Sequence, residues 1–141
     1  MPLFSRPTLI TQADNAQRQK QWEVSARLYR KALSRRPNNP PIWVQLGHAL
    51  KESGRFGEAE KAYRTAVSQD PRTTETYLHL GFVLERQDKR AEAEAAYLRA
   101  FAMDPHFTPA AEALSSVGWS DEMMAELRRV AFNSDVSGSV V

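Results

Sequence analysis

PPIWVQLGHALKESGRFGEAEKAYRTAVSQDPRT, residues 40–73, is the stretch from which the fold can be read. Its signposts are Trp43, Leu46, Gly47, Leu50, Gly54, Ala59, Tyr63, Ala66 and Pro71. Moving 34 residues on, eight of the nine recur in kind as Tyr77, Leu80, Gly81, Leu84, Ala93, Tyr97, Ala100 and Pro105. Moving 34 residues back, the second half recurs as Tyr29, Ala32 and Pro37. A fixed period of this length, with small and large residues in fixed places, marks a stack of helical hairpins.

Each signpost has a mechanical reason. Asn39 suits a cap and Pro40 the first helical position, where a missing N–H costs nothing. Gly54 supplies the positive φ that ends the first helix. Gly47 lets the two helices approach where Ala59 presents only a methyl, while Trp43 and Tyr63 fill the wider spaces. Pro71 turns the chain toward the next hairpin.

The pattern fits W-x2-L-G-x2-Y, then A-x3-F, then P, so residues 7–117 resemble the tetratricopeptide repeat family. The resemblance implies an all-α fold, a right-handed superhelical stack of antiparallel helix hairpins. About three repeats fall near 6–39, 40–73 and 74–107, followed by a pair of capping helices near 108–132. On this reading residues 1–132 form one domain and 133–141 a flexible tail.

Outward from the centre the pattern loosens. The first repeat has Leu9, Gln12, Ala13 and Ala16 where the second has Trp43, Leu46, Gly47 and Leu50. Leu9, Ala13 and Ala16 still share one face, predicting a helix over about 8–19 and a second over about 22–34. Lys20 replaces Gly54, which predicts a turn of different build. The third repeat predicts helices over about 74–87 and 91–103, with Asp88 at the turn and Arg90 where Trp22 and Phe56 stand. Thr108 and Pro109 read as cap and first position of a shorter helix. The final helix opens at Ser120, with Met123, Leu127 and Val130 or Ala131 as one apolar stripe closing the stack.

Composition narrows the function. At 141 residues, 42% hydrophobic and 26% charged, the chain reads as one globular domain. It has no cysteine, so disulfides and thiolate zinc sites are out. The opening MPLFSRPTLI lacks a signal-peptide pattern and no run is long enough to span a bilayer, which points to the cytoplasm. Residues 1–36 carry eight Lys and Arg against Asp14 and Glu23, a net of +6; the remainder carries eleven against fifteen, a net of −4. The basic end reads as a solvated outer face, with an acidic partner or nucleic acid as the functional alternative.

The resemblance further implies that the first helix of each hairpin lines a concave groove that grips a protein or peptide ligand. Carried onto this sequence, the groove residues are Asp14, Gln45, His48, Glu52, Leu78, His79, Phe82 and Arg86, with Asp14 facing Gln45, His48 facing His79, and Phe82 facing Ala113. Family members that bind the acidic C-termini of heat-shock chaperones use Lys, Asn, Asn, Lys and Arg. Here those positions hold Ile10, Asp14, Gln45, Glu75 and His79, so the chaperone tail is not an expected ligand. Catalytic zinc wants three protein ligands plus water and structural zinc four; only His48, His79 and Glu52 converge, and the histidines read as groove hydrogen-bonders. No phosphate loop or nucleophile elbow is present, so no enzyme, metal or cofactor is expected. Nucleic acid is not expected either, because Tyr29, Tyr63 and Tyr97 occupy packing positions. Two other readings stand beside the groove. The run WVQLGHALKESG is similar to repeat segments attached to bacterial glycosyltransferases, which implies an accessory domain of such a system. The Met123/Met124/Leu127 helix offers a surface for self-association into a homo-oligomer.

Overall fold

The computed structural model describes residues 6–138, which form eight α-helices and no strand. They are α1 (Leu9–Arg18), α2 (Trp22–Arg35), α3 (Pro40–Glu52), α4 (Phe56–Gln69), α5 (Thr74–Glu85), α6 (Arg90–Met103), α7 (Thr108–Ser116) and α8 (Asp121–Gly138). Their contacts divide the chain into two compact units, Met1–Pro71 and Arg72–Val141. The division falls close to the predicted boundary between the second and third repeats.

In the first unit α1 pairs with α2 and α3 with α4, and α2 packs on α3. The core is small-residue rich: Ala13, Ala16, Ala26, Ala49, Ala59, Ala62 and Ala66 are all buried, together with Leu33, Leu46, Leu50, Tyr29 and Tyr63. Gly47 is indeed a close-approach position, but the group against it is not Ala59. A Cβ placed on Gly47 would lie 2.6 Å from the Tyr63 ring, and one on Gly81 would meet Tyr97 in the same way. The tyrosine ring lies flat where a side chain is missing, which is why the two residues recur together.

The loop into α3 is held by long side chains rather than by its own cap. Asn39 stands at the N-cap but makes no side-chain cap bond. Its N–H instead donates to Gln69 Oε1 at 3.1 Å, and Gln69 Nε2 donates to the Pro37 carbonyl at 2.8 Å. Trp43 Nε1 reaches the same carbonyl at 2.7 Å.

The hairpin turns are built alike. Lys20, Gly54, Asp88 and Gly118 all have positive φ. In each, the next residue donates its N–H five residues back, as in Gln21 to the Ala16 carbonyl at 2.8 Å and Trp119 to the Leu114 carbonyl at 3.0 Å. That is the Schellman closure of a helix C-terminus. Lys20 therefore adopts the glycine geometry instead of reshaping the turn, at a cost of order 1–2 kcal/mol for a residue with a Cβ.

In the second unit α5 pairs with α6, and α7 touches both. Arg90 is exposed and lies 3.5 Å from Asp88, so the packing made by half-buried Trp22 and Phe56 is absent there. Phe107, not Thr108, holds the cap position of α7. The α7–α8 turn repeats the backbone geometry of the hairpin turns. The residue that α8 buries is Met124, while Met123 and Val130 are 47% and 51% exposed. Arg128 stacks over Phe101 at 5.0 Å and donates to the Pro105 carbonyl at 3.2 Å. The helix continues to Gly138, past the point near residue 133 where its apolar stripe ends; of the expected tail, residues 139–141 lie outside the described residues.

Candidate functional site

The predicted groove residues sit on α1, α3 and α5, and the structure treats them unequally. Residues 14, 48 and 82 occupy one repeat position, directly after the residue that meets the tyrosine ring. In repeat one the Tyr29 hydroxyl donates to the Asp14 carboxylate. In repeat two the Tyr63 hydroxyl lies 2.7 Å from His48 Nδ1, with the rings edge to face at 5.6 Å. In repeat three the position is Phe82, which offers no acceptor, and the Tyr97 hydroxyl bonds Glu85 one turn along instead. A buried tyrosine needs a partner for its hydroxyl. Asp14 and His48 supply it, so both are tied into their own hairpins.

Burial pushes the hydroxyl pKa of Tyr29, Tyr63 and Tyr97 well above the ordinary 10.0, and the carboxylates of Asp14 and Glu85 add to the rise at Tyr29 and Tyr97, as Glu52 does at Tyr63. Tyr29 and Tyr97 act as hydrogen-bond donors, and Tyr63 shares a hydrogen bond with His48. Because their folded-state values are raised, the stability they confer is whole below pH 10.0 and is lost as pH climbs past it. In a Tyr77→Phe background only these three tyrosines remain. Tyrosinate absorbance is then expected to appear together with loss of far-ultraviolet circular dichroism above pH 10. Complete ionisation in a chain that is still helical would contradict the burial argument.

Across α1 and α3 the direct contact is not Asp14 with Gln45. Gln17 Nε2 donates to Gln45 Oε1 at 2.7 Å, and Gln17 is itself oriented by the buried Ser25 hydroxyl at 3.3 Å. Ser25 also donates to the Ala13 carbonyl at 3.1 Å. Gln45 is thus half committed to its own scaffold. Glu52 is exposed near the end of α3, 3.9 Å from Lys51 Nζ.

On α5 the character changes. Leu78 and His79 are half-buried, Arg86 is exposed, and Phe82 is 41% exposed. The ring and its neighbours make an apolar step bordered by a cation. His48 belongs to the first unit and His79 to the second, and among the described residues no three His, Asp or Glu side chains gather as metal ligands.

Two other concavities occur in the second unit. A cleft of about 580 Å³ is lined by Glu85, Asp88, Arg90, Glu94 and the Ser116–Gly118 turn. Its acids are already engaged: Glu85 by Tyr97, Glu94 by Trp119 Nε1 at 3.1 Å, and Asp88 by Arg90. A shallow apolar depression of about 520 Å³ runs along α8 between Trp119 and Val130. No helix among the described residues is long and apolar enough to cross a membrane.

The hydroxyl partners were not predicted, although a signal existed. Tyrosine rather than phenylalanine at all three packing positions announces a buried hydroxyl, and a polar residue recurs at the facing position until Phe82 breaks the series.

Comparison with known proteins agrees with this architecture. A family profile described as the Cilia and flagella-associated protein 70 middle TPR-like domain matches residues 9–127. None of the curated proteins matches. Solved structures with the same fold include the TPR domain of Arabidopsis OM64, at 23% identity and a TM-score of 0.73 over 78% of this chain and 91% of that one. The second TPR domain of human RPAP3, in complex with the HSP70 peptide SGPTIEEVD, is 16% identical with a TM-score of 0.75 over 80% and 94%. The Yersinia enterocolitica type III secretion chaperone SycD, in complex with a peptide of the translocator YopD, is 16% identical with a TM-score of 0.73 over 77% and 88%.

Proposed function

Because the chain belongs to the family of the Cilia and flagella-associated protein 70 middle TPR-like domain, we propose that it is a non-catalytic interaction module that holds a peptide of a partner protein. The exposure of Phe82 carries the reading. It occupies the position that Asp14 and His48 spend on tyrosine hydroxyls, yet takes no part in that bond and stays 41% exposed on α5. A large, partly exposed ring on the same helix as Leu78, with Arg86 one turn on, suits one apolar anchor side chain followed by an acidic or carbonyl group. That human RPAP3 and Yersinia SycD were captured with peptides supports the class of ligand. His79, on the same helix, would contribute a hydrogen bond beside the anchor.

A peptide-display selection against the full chain tests this. Enriched peptides are expected to share an apolar residue and to bind a Phe82→Ala variant about 30-fold more weakly or worse, as for loss of an anchor contact. The exposed ring should cost the fold no more than about 0.5 kcal/mol, so denaturation midpoints stay put. Peptides that bind Phe82→Ala as well as the parent would place the ligand elsewhere.

A further inference from the structure

The second helix of the first hairpin carries a row of cations that the repeat does not ask for. Arg27, Lys31 and Arg35 stand at i, i+4 and i+8 on α2 and share one face over about 12 Å. Arg36 follows at the helix end, and all four are exposed. The 34-residue period separates scaffold from surplus. The matching positions are Lys61, Thr65 and Gln69 on α4, and Ala95, Arg99 and Met103 on α6. Neither later helix keeps the row, so hairpin packing does not require it.

Internal ion pairing does not explain it either. Arg30 on the adjoining face pairs with Glu58 at 2.7 Å, and Arg55 reaches Glu23 at 2.8 Å and Glu58 at 2.6 Å. Among the described residues Arg27, Lys31, Arg35 and Arg36 have no carboxylate partner. Like charges four residues apart disfavour a helix. The macrodipole accounts for Arg35 in the last turn but not for Arg27 and Lys31, which lie before it.

We propose that this row is a docking strip for an acidic segment of a partner protein, lying along the outer face of α2. The surface is on a different helix from Phe82 and does not depend on the peptide reading. An acidic helix with carboxylates at every fourth residue presents them at the same rise of about 6 Å, so each arginine can meet one carboxylate with two bonds. A long polyanion fits less well. Residues 37–141 carry a net charge of −4, and a duplex or an anionic bilayer reaches well past the screening length of about 8 Å. A short acidic segment meets the strip alone. Unstacked bases find no platform there, because Tyr29 is fully buried and Trp22 half-buried.

The test uses the full chain and a fluorescein-labelled helical peptide with glutamate at every fourth position, followed by anisotropy. A single-stranded oligonucleotide and phosphatidylserine vesicles, matched in total charge, form the other arms. The peptide is expected to bind, and to lose about tenfold in affinity between roughly 50 and 300 mM salt. R27Q/K31Q/R35Q should weaken it by about tenfold and R27E/K31E/R35E by more, while R27K/R35K, which keeps the charge but not the two-bonded fork, falls between the parent and the glutamine variant. All of these positions are exposed, and circular dichroism checks that each variant stays helical. Equal binding by the glutamine and glutamate variants, no binding at low salt, or tighter binding of the oligonucleotide or the vesicles would overturn the proposal.

Discussion

Tyr63→Ala is expected to lower the unfolding free energy by about 3–5 kcal/mol. The ring is fully buried and lies against Gly47, which has no side chain to move into the gap. The same change removes the hydroxyl that meets His48 Nδ1 at 2.7 Å. Tyr63→Phe separates the two effects, since it keeps the ring and removes only the hydrogen bond, at about 1 kcal/mol. Chemical denaturation of the two variants side by side checks the ratio. A Tyr63→Ala cost near that of Tyr63→Phe would mean that the ring does not hold the hairpin. Against a usual total of about 5–15 kcal/mol, a loss of the predicted size leaves the fold marginal.

What could be read in advance followed from spacing. Spacing and end signals placed α1, α2, α3, α5, α6 and α7 to within about two residues, because the repeat's large and small side chains serve one packing geometry in every copy and Thr108-Pro109 marks a helix start. What could not be read depends on rotamers and on chain-distant partners. Asn39 has the right chemistry for a cap, yet its side chain makes no cap bond, and what holds this loop is Gln69 from the end of α4, which accepts from the Asn39 N–H. Lys20 argued against a left-handed turn by propensity, yet the closure bonds around it match those around Gly54. Tertiary demand overrides a local preference of that size. On α8 an apolar stripe was visible, but which side of it faced inward turned on Arg128 stacking over Phe101.

The candidate site was legible to the same depth. Family register placed Asp14, His48 and Phe82 at one position, but spacing cannot show that a buried hydroxyl has already claimed the first two. Of the eight candidates Phe82 is 41% exposed, while Asp14 and His48 meet the hydroxyls of Tyr29 and Tyr63. In the third hairpin the tyrosine hydroxyl finds its partner at Glu85, so Phe82 takes no part in that bond.

Gly81 offers the sharpest test of this packing, because one substitution should change sign with its background. Alone, Gly81→Ala drives a Cβ into the Tyr97 ring, and overpacking of this kind costs about 1–3 kcal/mol. In a Tyr97→Ala background the obstruction is gone. The same substitution should then stabilise α5 by roughly 0.5–1 kcal/mol, since alanine is the better residue in a helix interior. The coupling energy from the four denaturation curves measures the contact itself. Repeat one sharpens the expectation, for it carries Ala13 at the matching position and still buries Tyr29 completely. A hairpin can therefore accept a methyl there, provided that its helices settle further apart or its ring tilts. If the third hairpin could reach that arrangement freely, Gly81→Ala would give the same small gain in both backgrounds and the coupling energy would be near zero. A clear penalty in one and a gain in the other would show that Gly81 and Tyr97 are fitted to each other, and that the path of the Tyr97 hydroxyl to Glu85 is fixed by the same contact.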